Sequence, residues 1–272
     1  MGILNVTPDS FSDGGEFFDL DAAVAHGLEL FAAGADLVDV GGESTRPGAV
    51  RADASTEAAR VIPVIARLAA AGLAVSVDTM RAEVAVAAVE AGAVLVNDVS
   101  GGLADPQMLP AVASSGAHYV AMHWRGHSDR MIDLASYRDV VADVAAELGG
   151  RLEAAMAAGI GEDRVILDPG LGFAKTAEHN WALLGHLDHL TALGRPILIG
   201  ASRKRFFGEL LADSDGSRPV REREDAGVAL TTLLAASGIW GVRTHTVRPH
   251  LDAIAVAARW ASATHEPRPG DR

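Results

Sequence analysis

The sequence predicts an α/β protein whose single domain is a (β/α)8 TIM barrel. Three observations carry that prediction. Eight short runs rich in Val, Ile and Leu each lead into a polar residue. Helical patterns lie between the runs, each closed by glycine. The unit also recurs evenly: from Asn5 to His245 seven intervals cover 240 residues, about 34 each, the size of one β-α unit.

The strands follow in order. Ile3-Leu4 leads to Asn5, Leu37-Val38 to Asp39, Val75-Ser76-Val77 to Asp78, and Val94-Leu95-Val96 to Asn97-Asp98. Tyr119 through Met122 leads to His123, Val165-Ile166-Leu167 to Asp168, and Ile197-Leu198-Ile199 to Gly200-Ala201-Ser202. Gly241 through His245 is the eighth. Such runs fit strands covered on both faces. Leu20, Val24, Leu28 and Phe31 share a predicted helix face, as do Val140, Val144, Leu148, Leu152 and Met156. The alanine-rich stretch 82–91 has high helix propensity. Gly34, Gly72, Gly92, Gly116, Gly159 and Gly194 sit where helix C-terminal caps belong. The alternative is an open doubly wound sheet, which predicts a G-x-G-x-x-G turn after the first strand. The turn there is Thr7-Pro8-Asp9-Ser10-Phe11-Ser12-Asp13-Gly14-Gly15, so the closed barrel is preferred. Residues 1–261 are read as the barrel and 262–272 as a flexible, frayed tail.

Composition narrows the function. The 272 residues are 49% hydrophobic and 22% charged, enough apolar material for a large core. The net charge of −13 argues against nucleic acid or an anionic membrane surface as partner. There is no cysteine, which removes disulfides, thiolate metal sites and a cysteine nucleophile. No basic, apolar leader follows Met1, and the stretch Ala226 to Val242 is too short and interrupted for a membrane helix. A cytoplasmic protein is expected.

Barrel chemistry sits at the C-terminal ends of the strands. Asn5, Asp39, Asp78, Asn97, Asp98, His123, Asp168, Ser202, Lys204, Arg243 and His245 all fall there. Any one Asp can be a plain turn former or helix cap; five acidic or amide residues at one mouth are harder to dismiss. Asp78, Asn97 and Asp168 suit a flat heterocycle with several N–H donors, since a carboxylate accepts two parallel bonds from an amidine-like edge. The same three can hold Mg2+, a weaker reading because no compact metal spacing accompanies them. Lys204, Arg243 and His245 form a cationic set in the region where barrels bind phosphate. Arg243 and His245 alternate about Thr244 and so point to one side. Arg203 and Arg205 read as solvated surface residues. Residues 7–15 and 41–48 are Gly- and Pro-containing loops of the kind that close over substrate.

Taken together, these stretches resemble the dihydropteroate synthases, the folate-pathway enzymes that sulfonamides inhibit. The motifs are Asn5 through Gly15, Asp39 through Gly48, Ser76-Val77-Asp78-Thr79, Asn97 through Gly102, Leu167-Asp168-Pro169-Gly170, Gly172-Phe173 and Ser202-Arg203-Lys204, all in family order. The resemblance covers nearly the whole chain. It implies condensation of 6-hydroxymethyl-7,8-dihydropterin diphosphate with 4-aminobenzoate to 7,8-dihydropteroate and diphosphate, by an SN1-like route. By position it implies that Asp78, Asn97 and Asp168 hold the pterin edge and Lys204 donates to the ring acceptors. Asn5 would ligate a Mg2+ shared with the diphosphate, which Arg243, His245 and Thr45 bind. Phe11, Thr45, Arg46, Pro47, Phe173 and Ser202 would form the aminobenzoate pocket. Lys204, Arg243, His245 and Asp13 would be catalytic. A homodimer through the last helices is implied as well.

The sequence departs from the family in three places. Ala174 follows Phe173 where many members have Gly, and Thr246 follows His245 where Asp is common. Family members usually carry a segment before the first strand, so either a natural start upstream of Met1 or a naturally short N-terminus is expected. A methyltetrahydrofolate-binding methyltransferase module shares the barrel and the pterin-edge carboxylates but does not need the Lys204, Arg243 and His245 set. An inactive binding barrel need not keep both loop motifs.

Overall fold

The computed structural model describes residues 1–7, 19–43, 52–127 and 133–265. Six strands form a parallel sheet in sequence order: β1 (Gly2–Asn5), β2 (Val38–Gly41), β3 (Val75–Asp78), β4 (Leu95–Asp98), β5 (His118–Met122) and β6 (Val165–Asp168). β7 (Leu198–Ile199) and β8 (Gly241–Val242) form a second parallel pair. Single bridges join the two sheets, Leu167 with Ile197 and Gly2 with Thr244. Their hydrogen bonds run from Leu167 N to Pro196 O (2.9 Å), Ile3 N to Thr244 O (2.9 Å) and Thr244 N to Met1 O (3.0 Å). The cylinder is therefore closed, as the sequence predicts.

The helices are α1 (Leu20–Ala32), α2 (Ala54–Ala70), α3 (Ala82–Glu90), α4 (Met108–Ser115), α5 (Val140–Ala157), α6 (Ala177–Gly185), α7 (Leu187–Thr191), α8 (Arg205–Leu210), α9 (Glu224–Ala236) and α10 (Arg248–His265). Side-chain oxygens start several of them: Asp19, Asp53, Asp139 and Thr176 each accept a backbone N–H from the first turn. The six predicted capping glycines all adopt left-handed φ, from +72 to +111°. Among the described residues no helix is long and apolar enough to cross a membrane.

Alternation along the strands builds two cores. Leu4, Val40, Val77, Val96, Tyr119 and Leu167 point outward and pack beneath the helices. Leu95, Val120, Ile166 and Leu198 point inward and fill the barrel with Met1 and Leu37. Two of these inward rows turn polar at the C-terminal end: Asn97 lies two residues beyond Leu95, and Asp168 two beyond Ile166. The register pairs Gly41 with Asp78 and Asp78 with Asn97, which gathers the polar ends at one mouth.

Two predicted helix faces need correction. α1 buries Ala23, Val24, Gly27 and Leu30, while Leu28 and Phe31 are exposed. The face is rotated toward small residues that let the helix approach the barrel; a Cβ on Gly27 would lie 2.8 Å from Leu68 Cδ1 of α2. In α5, Val140, Val144 and Leu148 are buried as predicted, but Ala155 takes the inward place near the helix end and Met156 faces solvent.

Candidate active site

The mouth is organised around a charge pair across the barrel. Asp39 on β2 points inward and is fully buried. Arg243, just past β8, donates from Nε to Asp39 Oδ2 (2.5 Å) and from a terminal nitrogen to Asp78 Oδ2 (2.6 Å). Asn97 Nδ2 donates to the same Asp39 oxygen at 2.9 Å. Four strands, β8, β2, β3 and β4, thus meet through side chains. Burial lowers the pKa of Arg243, but Asp39 and Asp78 outweigh it and the net shift is upward. Burial acts in the other direction on Asp78; with Asp39 it outweighs Arg243 and pushes the carboxyl up to about 7.

The second carboxylate is Asp168 at the end of β6. Its Oδ1 accepts the Gly170 N–H at 2.7 Å. Burial raises its pKa, opposed by that bond and by Lys204. Lys204 precedes α8, and its Nζ lies 4.1 Å from the centre of the Phe173 ring, a cation–π contact. Burial lowers Lys204 to about 8, with Asp168 pulling upward. Gly172 leaves room for the lysine stem: a Cβ there would lie 3.1 Å from Lys204 Cδ.

His245 faces Ser202. The Ser202 hydroxyl oxygen accepts the His245 backbone N–H (3.3 Å) and lies 2.9 Å from His245 Nδ1. The hydroxyl has one proton and two lone pairs, so it can donate to Nδ1 or accept from it, and the contact admits either ring tautomer. Burial, then Arg203 and Arg243, lower His245 to about 3. It is therefore neutral near pH 7, a hydrogen-bond donor and not the cation the sequence suggests. A bound polyanion would raise its pKa.

Arg203 also departs from expectation. Arg205 is exposed and pairs with Glu209 (2.7 Å), but Arg203 is half-buried, left-handed (φ 61°) and 3.4 Å from Glu224. Glu224 also accepts from the Thr246 hydroxyl and contacts His250 Nε2 at 3.2 Å. Thr246, in the place where Asp is common, thus ties the end of β8 to α9. Ala174 likewise occupies a left-handed conformation (φ 48°). Glycine takes that conformation freely, whereas a Cβ costs about 1–2 kcal/mol there.

Asp98 is satisfied locally by Ser100, Gly102 and Tyr119, the turn-forming role. His123 is drawn into a network with Glu147 and Lys175. Asn5 ends β1 at the mouth, half-buried and opposite Gly41. Phe11, Asp13, Thr45, Arg46 and Pro47 lie outside the described residues. Sequence reasoning missed the central position of Asp39, and Lys175, Glu147 and Glu224 altogether. One signal was available for Lys175: the 23 basic residues include two lysines, and both are here.

Among the described residues no group of three or more His, Cys, Asp or Glu can hold a metal. Asp78, Asn97 and Asp168 each give one atom to Arg243, Asp39 or Gly170, a pattern of ion pair and hydrogen bonds shared with the protein. An ion at Asn5 fits only if an anionic ligand and water complete its oxygen shell, which is how Mg2+ commonly binds.

Residues 1–245 match the model of the pterin binding enzyme family. A dihydropteroate synthase of Mycobacterium leprae is 55% identical over 265 residues, 97% of this chain and 93% of that protein. The dihydropteroate synthase of Xanthomonas albilineans with 4-aminobenzoic acid superposes with a TM-score of 0.87 at 47% identity, covering 98% of this chain and 93% of the other. The Xanthomonas enzyme in complex with 7,8-dihydropteroate gives 0.84 at 44% identity over the same shares, 98% and 93%.

Replacing Asp39 with Ala strips Arg243 of its more deeply buried partner. Breaking a buried pair in this way costs about 3–5 kcal/mol. Urea unfolding should register that loss, and an unchanged midpoint would mean that the pair does not hold the mouth together.

Proposed function

The chain belongs to the dihydropteroate synthase family of pterin-binding enzymes, and we propose that the residues gathered at its barrel mouth carry the family's condensation. The reaction joins 6-hydroxymethyl-7,8-dihydropterin diphosphate to 4-aminobenzoate and yields 7,8-dihydropteroate and diphosphate. The observation that carries the residue assignment is the layout of charge: Asp78 and Asn97 side by side on β3 and β4 with Arg243 on Asp78, and Asp168 at the end of β6 beside Lys204, which lies over Phe173.

In this reading the N–H edge of the aminopyrimidinone replaces water at Asp78, Asn97 and Asp168, which accept its protons at low entropic cost because they are already fixed. Lys204 donates to ring acceptors on the opposite edge. The C–O bond to diphosphate breaks first, leaving positive charge on the exocyclic methylene, delocalised into the ring. Leaving depends on neutralising the diphosphate. Arg243 supplies charge, since Nη1 lies outside its pairs with Asp39 and Asp78, and His245 supplies a donor with Thr45. Mg2+ held by Asn5 and the diphosphate would contribute Lewis-acid neutralisation when bound. The aminobenzoate nitrogen then forms the C–N bond and loses a proton. Phe173 and Ser202, with Phe11, Thr45, Arg46 and Pro47, hold the aminobenzoate ring, and Asp13 completes the catalytic set with Lys204, Arg243 and His245.

A homodimer belongs to the same reading. Leu233 on α9 and Val256 and Trp260 on α10 are large apolar side chains in solvent, and covering them in a dimer would support this reading. The reading also includes a cytoplasmic location, one barrel over residues 1–261 and a flexible tail over 262–272.

Three measurements test the proposal. Aminobenzoate-dependent release of diphosphate with Mg2+ should be seen in the wild type and lost in Lys204→Ala; a folded wild type without release would point to an inactive barrel. The kcat/KM profile should be a narrow bell. It rises as Asp78 ionises near pH 7 and falls as the two buried lysines lose their protons, Lys175 near 7 and Lys204 near 8. Asp78→Asn should remove the acid limb; an acid limb that stays in place excludes Asp78. Light scattering should give twice the 28.2 kDa chain mass, and a monomer at micromolar concentration would sink the dimer.

A further inference from the structure

Lysine occurs at two positions of this chain, against 21 arginines among its 23 basic residues. One is Lys204. The other, Lys175, has no part in the reaction as derived above, yet its ammonium sits inside the loop between β6 and α6. Its Nζ lies 3.1 Å from Gly170 O, 3.0 Å from Phe173 O and 2.8 Å from His123 Nδ1. Three acceptors meet the three N–H groups of a tetrahedral ammonium, a pattern that a planar guanidinium cannot reproduce. His123 is fixed in turn by Glu147 Oε2, 2.9 Å from Nε2. Arg125 holds Glu147 and stacks 3.8 Å above the Tyr137 ring, and the Tyr137 hydroxyl donates to Ala174 O at 2.9 Å.

The loop that wraps the ammonium is bent sharply. Gly170, Gly172 and Ala174 are all left-handed, and a Cβ on Gly170 would lie 2.4 Å from His123 O. Its two ends reach the site: the Gly170 N–H holds Asp168, and the Phe173 ring lies on Lys204 Nζ. We propose that Lys175 is a positioning residue, whose three-point grip on the loop aims Phe173 at Lys204 and Gly170 at Asp168. The catalytic consequence rests on the roles given above to Lys204 and Asp168; the geometric claim does not.

The test uses protein labelled with 13C at lysine Cε, which carries two lysine signals. It is run at pH 6, below the value of about 7 to which burial lowers Lys175. The Lys204 signal should be displaced upfield by the Phe173 ring current, and Phe173→Leu, which removes the ring, assigns it. In Lys175→Met the single remaining signal should move to its position in Phe173→Leu. In the same variant kcat/KM should fall about 100-fold, the scale of a small misplacement of reacting groups, with KM for aminobenzoate raised. Lys175→Arg should restore neither. A Lys204 signal unmoved in Lys175→Met overturns the proposal, as does full rescue by arginine. If Lys175→Met does not fold, His123→Ala removes one acceptor and should displace the Lys204 signal the same way by less; no displacement again overturns it. A wild type that releases no diphosphate would defeat the functional reading, while the lysine signals would still decide the role of Lys175.

Discussion

A guanidinium in the mouth of a barrel sets the terms for everything around it. Arg243 reaches across from β8 to Asp39 and Asp78, so the strand that completes the cylinder is tied to strands on its far side of the sequence. Such a group is costly to bury and tolerable only when paired and hydrogen-bonded. The pairing is uneven: Asp39 is fully buried and also receives Asn97, while Asp78 keeps some exposure toward the mouth. That asymmetry leaves Asp39 sealed within the barrel and Asp78 partly open at its mouth. It also explains how the acidic balance of the chain coexists with an anionic substrate, because the cations that matter are concentrated at one place.

The layering of the barrel makes this arrangement stable. Leu95, Val120, Ile166 and Leu198 plug the interior below the polar ring, so the charges lie above a dry floor and interact more strongly than they would in water. The same dryness moves the titrating groups: Asp78 upward and Lys204 and His245 downward, each first by burial. Two of the loops above the floor are bent through left-handed non-glycine residues, Ala174 and Arg203. Strain of this kind survives where surrounding contacts overdetermine the backbone; the networks of Lys175 with His123 and of Glu224 with Thr246 and His250 are those contacts.

Much of this was legible in the residues. The eight strands, the helices, the capping glycines and the ring of polar strand ends follow from local pattern, because apolar runs, a helical period and left-handed glycines each leave a mark within a few positions. Helix faces were less legible. Phe31 and Met156 match a periodic stripe yet face solvent, since the packed face depends on how closely Ala23 and Gly27 let a helix approach, and on Ala155 near a helix end. Asp39 shows the same limit in the site: nothing beside it in sequence says that its partner is Arg243, 204 residues away.

The sequence by itself determined the barrel, its polar mouth and the motifs that mark the dihydropteroate synthases, because these reside in short-range order and in residue identity. Only the tertiary structure decided how the polar groups divide their work. Which of the two carboxylates paired with Arg243 is sealed and which is partly exposed, whether His245 carries charge, and that Lys175 contacts the Phe173 carbonyl all depend on burial and on distances between strands far apart in the chain. Electrostatic energy is set by separation and dielectric, and neither quantity exists until the cylinder has closed.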